Sequence, residues 1–321
     1  MIHLLSPGSS DQRTGGYRYN ARLVAEWRAL GRAVAVHELP GRWPFPREEA
    51  LERAAAVVAG LTGVVLADGL LWTALAPRVD RPVIVLIHSP LWREHGLAAK
   101  AREEIALRRA HAVVCTSSRI AQDLHLETPP TVVEPGTDPA AVADRPGTGA
   151  LLCVANVVPR KGHDVLIEAV RRMDGAVTLR CAGALDRDSD YAAGVMKAAL
   201  GLPVTWLGSL DDAALDAAYA QSDVLVSAAR YEGFGMAIAE AWARGLPVIS
   251  PPAGVFDGVG AGCGGVRVVP PDDPEALAHA ITLVIKDSRL AEQLSKEARA
   301  IPLPSWSTQA KAWLTHLGGF A

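Results

Sequence analysis

Cysteine is scarce in this chain. Its 321 residues hold four, Cys115, Cys153, Cys181 and Cys263, far apart and without a C-x-x-C pair. That excludes a disulfide framework and argues against a zinc site. At least three sit in apolar runs, where a thiol behaves as a small hydrophobe, so a reducing cytoplasm is the expected setting. A charge excess is also missing: 32 Lys and Arg against 35 Asp and Glu leave −3, and no nucleic-acid partner is expected. An uninterrupted membrane-length run is lacking too. Residues 54–76 approach one, but Asp68 falls inside and Gly60, Gly63 and Gly69 break it, so helix–strand–helix is preferred to a spanning helix. Residues 1–6 are too short and too uncharged at their start to read as a secretory signal.

What is present is a long alternation. The length predicts two domains, and 50% hydrophobic against 21% charged residues excludes a disordered chain. Short β-branched runs occur at Ile2–Leu5, Ala33–His37, Gly63–Ala67, Val83–Ile87, Ala112–Cys115 and Thr131–Val133. A second series follows at Leu151–Ala155, Val177–Ala182, Val204–Leu207, Val224–Ser227, Val248–Ser250 and Val266–Val269. Near-continuous apolar strands separated by amphipathic helices predict α/β architecture, with parallel sheets covered on both faces. Two series predict two Rossmann-like domains. Pro139, Pro146, Gly147 and Gly149 interrupt Asp138–Gly149, which places the division at 1–146 and 147–303. Ile301–Ser307 breaks the last long run, and a short helix is expected over Thr308–Leu317, within 304–321. Asp273-Pro274-Glu275 reads as an N-cap, a first-turn proline and an acidic first turn, with Leu277, Ala280, Ile281 and Val284 on one face.

The most informative segment runs from Tyr231 to Ser250. A strand enters the loop Glu232-Gly233-Phe234-Gly235, a helix opens, and another strand follows. Gly233 and Gly235 allow backbone to approach a ligand, and the first N–H groups of the helix present its positive end, an arrangement suited to phosphate. Helical side chains lean toward the amino terminus, so Glu240 points back toward the loop, where a carboxylate can accept bonds from the vicinal hydroxyls of a ribose. Glu232 can hold hydroxyls of a hexose. Upstream, Asn156–Gly162 is a loop between a strand and the His163–Arg171 helix. It carries Arg160 and Lys161 to the carboxyl end of a strand, where open α/β sheets bind ligands.

These segments resemble the retaining GT-B glycosyltransferases of family 4. The resemblance rests on Glu232-Gly233-Phe234-Gly235 with Glu240, on Pro159-Arg160-Lys161-Gly162, on Trp206-Leu207-Gly208 and on Gly254–Asp257 and Val269–Leu277. It covers nearly all of residues 150–300. Gly15-Gly16, His88, Cys115–Ser118 and Val133–Asp138 resemble the amino half of the family. The resemblance implies a GT-B fold: two domains facing across a cleft, an amino-terminal one for the acceptor, a carboxyl-terminal one for a nucleotide-diphosphate sugar, and a final helix crossing back onto the first. It further implies donor contacts from Gly15, Gly16, Asn156, Arg160, Lys161, Gly208, Glu232, Gly233, Phe234, Gly235 and Glu240. Asn156 stands where the family usually has an arginine. Lys161, Glu232 and His88 would carry catalysis, with no protein nucleophile, no metal and no cofactor beyond the co-substrate. The implied activity is hexosyl transfer from a UDP- or GDP-sugar to a glycan, a lipid-linked or a small-molecule acceptor. A nucleotide-sugar 2-epimerase and a catalytically silent scaffold of the same fold are the alternatives.

Two formal motifs are set aside. Gly260–Gly265 satisfies G-x-G-x-x-G without the required strand before and helix after. Asp186-Arg187-Asp188 satisfies a metal-binding D-x-D, but its place between a strand and a helix predicts capping. Finally, Leu91–His111 mixes Arg93, Lys100, Arg102, Arg108 and Arg109 with apolar residues, as a membrane-surface helix does. Glu94, Glu103 and Glu104 offset that charge, so an ordinary solvated helix is preferred over peripheral membrane contact.

Overall fold

The computed structural model describes residues 1–173, 177–257 and 264–318. In chain order the elements are β1 (Ile2–Pro7), α1 (Gly15–Ala29), β2 (Val34–Leu39), α2 (Glu48–Ala59), β3 (Val64–Asp68), α3 (Gly69–Leu75), β4 (Ile84–Ile87), α4 (Trp92–His95), α5 (Leu97–Leu107), β5 (Ala112–Cys115), α6 (Ser118–Leu124) and β6 (Thr131–Val132). There follow β7 (Ala150–Val154), α7 (His163–Arg171), β8 (Thr178–Ala182), α8 (Ser189–Ala198), β9 (Val204–Gly208), α9 (Asp212–Ala220), β10 (Val224–Val226), α10 (Met236–Ala243), β11 (Val248–Ser250), β12 (Val266–Val268), α11 (Pro274–Lys286), α12 (Ser288–Arg299) and α13 (Trp306–Gly318). Two compact units result, one of Met1–Gly136 with Pro304–Ala321, the other of Thr137–Leu303.

Each unit has a six-stranded sheet with parallel pairing, as the apolar runs predict. The first sheet runs β2-β1-β3-β4-β5-β6 and the second β12-β11-β10-β7-β8-β9. Counted within its own unit the second order is 3-2-1-4-5-6, and its direction of winding reverses between β7 and β10. A crevice opens at such a point beyond the carboxyl ends of the strands. Successive side chains on these strands leave on opposite faces. Leu151 and Cys153 of β7 join Val224 and Val226 of β10 in one core cluster, while Leu152 and Leu225 join Trp242 in another. Both faces are dry, which accounts for strands that read as continuous apolar runs.

Residues 137–145 run with the second unit rather than the first. The N–H of Ala143 donates to Arg244 O at 2.9 Å and that of Asp144 to Ala220 O at 3.0 Å. The buried Asp223 carboxylate then accepts from the backbone N–H groups of Gly147, Thr148 and Ala150 at 2.7–2.9 Å, fixing the entry into β7. The division therefore falls after Gly136, ahead of Pro139 and the rest of the proline–glycine cluster.

α13 packs within the first unit against α1. Trp313 Nε1 donates to Tyr19 Oη at 2.6 Å, and Trp27 Nε1 donates to Ala310 O at 3.1 Å. The helix starts before Thr308 because Ser305 Oγ accepts from the N–H of Thr308 at 3.1 Å. Leu91–His111 is two helices, not one: Gly96 at φ +79° separates α4 from α5. Glu103 does not offset surface charge. It is buried, accepts from Leu91 N–H at 2.8 Å, and burial pushes its carboxyl up to about 7. Among the described residues no helix is long and apolar enough to cross a membrane.

Asp188 Oδ1 accepts from Tyr191 N–H at 3.0 Å and caps α8, the capping role expected of the D-x-D segment. Asp273 Oδ1 likewise accepts from Ala276 N–H at the start of α11. Most of Gly260–Gly265, with Cys263, lies outside the described residues.

Candidate functional site

In the second unit the crevice between β7 and β10 is lined by Ala155, Ser227, Glu232, Gly235 and Ile238. Two loops meet over it. After β7, Pro159–Lys161 forms one 3₁₀ turn that ends at Gly162, in the left-handed region at φ 66°, ψ 30°. A Cβ at Gly162 would lie 2.0 Å from Ala228 O. Only glycine allows this approach, and the approach brings the two loops together.

Side chains then lock the loops. Arg160 Nη1 donates to Tyr231 O at 3.1 Å, and Arg230 N–H donates to Arg160 O at 2.9 Å. The Arg230 guanidinium binds both oxygens of Asp164, at 3.0 and 2.7 Å, and its Nε lies 2.6 Å from Asp272. Burial would raise Asp164, but Arg230 and the Tyr191 hydroxyl outweigh it and hold the carboxyl at about 2. Bidentate arginine–carboxylate pairing fixes geometry as well as charge. Arg230 went unremarked in the sequence because nothing local marks its partners, which are 66 and 42 residues away.

The consequence is an ion pair between Lys161 Nζ and Glu232 Oε2, with 16% and 20% of the two side chains exposed. Behind it α10 begins after Gly235, at φ 104°, an N-cap residue with no side chain of its own to cap the helix. The positive end of the helix lies at this loop. Phe234 turns into the core, so only its backbone is available at the site. Glu240, half-buried in the second turn of α10, accepts at Oε2 from the hydroxyl of Tyr219 at 2.9 Å. Asn156 is engaged elsewhere: its Oδ1 accepts from Ala184 N–H at 3.0 Å and ties the end of β7 to that of β8. Gly208, at φ 65°, ends the edge strand β9, and its carbonyl accepts from Gly183 N–H at 2.8 Å. Lys161, Arg160, Glu232, Gly233, Gly235 and Glu240 are thus gathered on two loops and one helix. Asn156 and Gly208 sit toward the β8 and β9 side.

The first unit gathers a second group at the carboxyl ends of its strands. Gly15 and Gly16 open α1, and a Cβ at Gly16 would lie 3.0 Å from His88 Cδ2. His88 follows β4; its Nε2 is 3.1 Å from Asn20 Oδ1 and 3.8 Å from Asp68 Oδ2. Donation to the amide oxygen places the imidazole proton on Nε2. Burial lowers His88 to about 4, so the ring is neutral near pH 7. Asp68 caps α3 through Leu70 N–H at 2.8 Å, and burial raises its carboxyl to about 6. Asp68 was legible only as a break in an apolar run, and Asn20 left no signal. Among the described residues, no three His, Cys, Asp or Glu side chains are grouped so as to hold a metal ion.

Over 65% of its length the chain is 29% identical to the lipopolysaccharide core biosynthesis mannosyltransferase LpcC of Rhizobium leguminosarum bv. viciae, spanning 63% of that protein. Over 87% of its length it is 26% identical to the MMP alpha-(1->4)-mannosyltransferase of Mycolicibacterium hassiacum, spanning 77% of it. The solved sucrose-phosphate synthase of Thermosynechococcus elongatus superposes with a TM-score of 0.82 at 21% identity, covering 99% of this chain and 98% of that one. HepE of Anabaena, solved in complex with UDP-glucose, gives 0.82 at 18% identity, with 99% of each chain covered. At these identities the two structures establish the fold, which is GT-B. A model of the glycosyl transferases group 1 family matches residues 138–301, just over half of the chain and nearly all of its second unit. The chain belongs to the glycosyl transferases group 1 family.

Proposed function

We propose that this chain is a retaining glycosyltransferase of family 4 that moves a hexosyl unit from a UDP- or GDP-sugar to a hydroxyl acceptor. The observation that carries the reading is the Lys161–Glu232 pair lying before the start of α10 at Gly235, with Glu240 one turn further along. A diphosphate fits a cation beside a helix amino terminus. A sugar offers hydroxyls to Glu232, and a ribose offers them to Glu240. The named activities of the relatives, mannosyl transfer among them, and the UDP-glucose bound by HepE support a nucleotide-sugar donor.

In this reading negative charge grows on the departing diphosphate as the anomeric carbon becomes oxocarbenium-like. Lys161 and the first N–H groups of α10 stabilise that charge in place, which is the largest contribution such a site makes. Arg160, whose guanidinium already holds Tyr231 O, fixes the loop and adds positive potential. Glu232 orients the hexose. Neutral His88 contacts the sugar or the acceptor as a hydrogen-bonding group rather than as a cation. The leaving group's charge is met by these groups without a metal, and the donor face needs no protein nucleophile.

A thermal-shift screen of UDP-, GDP- and ADP-sugars identifies the donor, and calorimetry on Glu240→Ala tests the site. The expected result is a nucleotide affinity weakened about tenfold or more; unchanged affinity overturns the ribose assignment. Conversion of the donor into a different nucleotide sugar without any acceptor overturns transfer in favour of epimerisation.

A further inference from the structure

Glu240 is held by a side chain that the motif around it does not contain. Tyr219, on α9, is fully buried among Leu225, Phe234, Ile238 and Trp242. Its hydroxyl lies 2.9 Å from Glu240 Oε2 and 3.2 Å from Ala237 O. A buried phenol must place its one proton on a partner, and here the partners are a carboxylate and a carbonyl of the same helix. The other face of the ring carries Arg244. Its guanidinium carbon stands 4.6 Å from the ring centroid, its Nη1 donates to Glu240 O at 2.8 Å, and its Nη2 pairs with Asp216. The phenol is therefore fixed in plane by a cation, fixed in depth by the core, and aimed at one carboxylate oxygen.

We propose that Tyr219 is the positioning residue of the nucleotide site: its hydroxyl holds the Glu240 carboxylate in the one orientation that receives the vicinal hydroxyls of the donor's ribose. The proposal rests on the reading of Glu240 as the ribose acceptor. A glutamate has three side-chain torsions, and leaving them free until a ligand arrives adds their ordering to the cost of binding. The Tyr219 bond orders them beforehand. It also takes one acceptor direction of Oε2 and so fixes the rotation of the carboxylate. Tyr219 touches no substrate atom in this scheme. Arg244, over the ring and bonded to Glu240 O, holds the ring against α10.

A purely structural tyrosine makes a different prediction from a positioning one, and the ribose separates them. The probes are UDP and GDP, each paired with its 2′,3′-dideoxy counterpart, titrated by calorimetry into the native chain and into Tyr219→Phe. Native protein is expected to bind the better nucleotide at least tenfold more tightly than its dideoxy form, the worth of a charge-assisted pair of hydrogen bonds. Tyr219→Phe keeps the ring and its packing. It should bind the dideoxy nucleotide as the native chain does, yet lose roughly three- to tenfold toward the ribonucleotide, so that the ratio between them shrinks. In the background of Glu240→Gln the same substitution should have little further effect on that ratio. A native-like ratio in Tyr219→Phe overturns the positioning role and leaves the ribose reading standing. A native ratio near one, or no binding of either nucleotide, overturns the ribose reading and the proposal with it. Equal weakening toward both forms marks Tyr219 as structural and also overturns the proposal.

Discussion

Lys161 and Glu232, 71 residues apart in sequence, share one ion pair at the mouth of the crevice between β7 and β10. Under the proposed function the pair has a consequence for mutants, because the ligand and Glu232 compete for Lys161. If the proposed donor site holds, Lys161 meets a diphosphate fully only by loosening its hold on Glu232, and Glu232 turns to reach the sugar. Glu232→Gln removes the competing charge and keeps the size. It should bind UDP or GDP as tightly as the native chain or up to several-fold more tightly, while transfer falls by about a hundredfold. Lys161→Met should weaken the same nucleotides by roughly ten- to a hundredfold. Calorimetry with nucleotide alone and turnover with the nucleotide sugar read the two effects separately. Parallel losses of binding in both variants would refute the competition.

Gly162 is where this pair is made. A β-carbon there meets Ala228 O at 2.0 Å, and the residue sits at φ 66°. Both strain and collision act on backbone, which cannot swing away as a flexible side chain can. Gly162→Ala should cost about 3 kcal/mol, seen as a fall of roughly 10 °C in Tm. It should also weaken nucleotide binding, because Lys161 precedes the displaced residue. A variant with native Tm would mean the loops separate freely.

Much of this is legible in the sequence alone. Buried parallel strands announce themselves because both faces are apolar, and Leu151–Leu152–Cys153 reads as such a run. Glu232, Gly235 and Glu240 share one local loop and helix, so their relation is written in spacing alone. The polar clamp is different. Arg230 with Asp164, Tyr219 with Glu240 and His88 with Asn20 join residues 66, 21 and 68 positions apart, and a single sequence records no pairing at such range. The strand order, and with it the position of the crevice, depends on those same long-range choices. Gly96 is an intermediate case. It sits at φ +79° and splits α4 from α5, a break that glycine within a helical pattern already hints at.

The terminal helix offers a test of the first unit. Trp313 is fully buried, stacks edge-on to Trp27 with centroids 5.9 Å apart, and donates to Tyr19 Oη. Tyr19 in turn lies edge-on to His88 at 5.2 Å. Trp313→Ala removes a large core side chain and orphans the Tyr19 hydroxyl on one side, an expected loss of about 3–5 kcal/mol. Hydrogen exchange should show the loss in α1 and α13, with the amides of α7 and α10 protected as before. Uniform loss of protection across both units would contradict the assignment of α13 to the first.

Asp68 and His88 predict a pH dependence in which two slopes oppose each other. Burial raises Asp68 from 3.8 to about 6. The folded chain therefore binds that proton more tightly than the unfolded one, and the associated stability is fully present below pH 4 and lost as pH rises through 6. Burial lowers His88 from 6.5 to about 4. There the unfolded chain takes the proton first, so stability is lost as pH falls from 6.5 through 4. Each shift corresponds to about 3 kcal/mol, and the two windows nearly coincide. In the native chain the two contributions offset one another between pH 4 and 6. His88→Gln removes one of them. Relative to the native chain, its stability should decline by about 3 kcal/mol between pH 4 and 6.5, as the slope from Asp68 is no longer opposed. Asp68→Asn should do the reverse, becoming relatively more stable over the same interval. Urea unfolding of the native chain and both variants at half-unit steps measures the differences directly. Parallel curves for all three would show that neither group changes its proton affinity on folding.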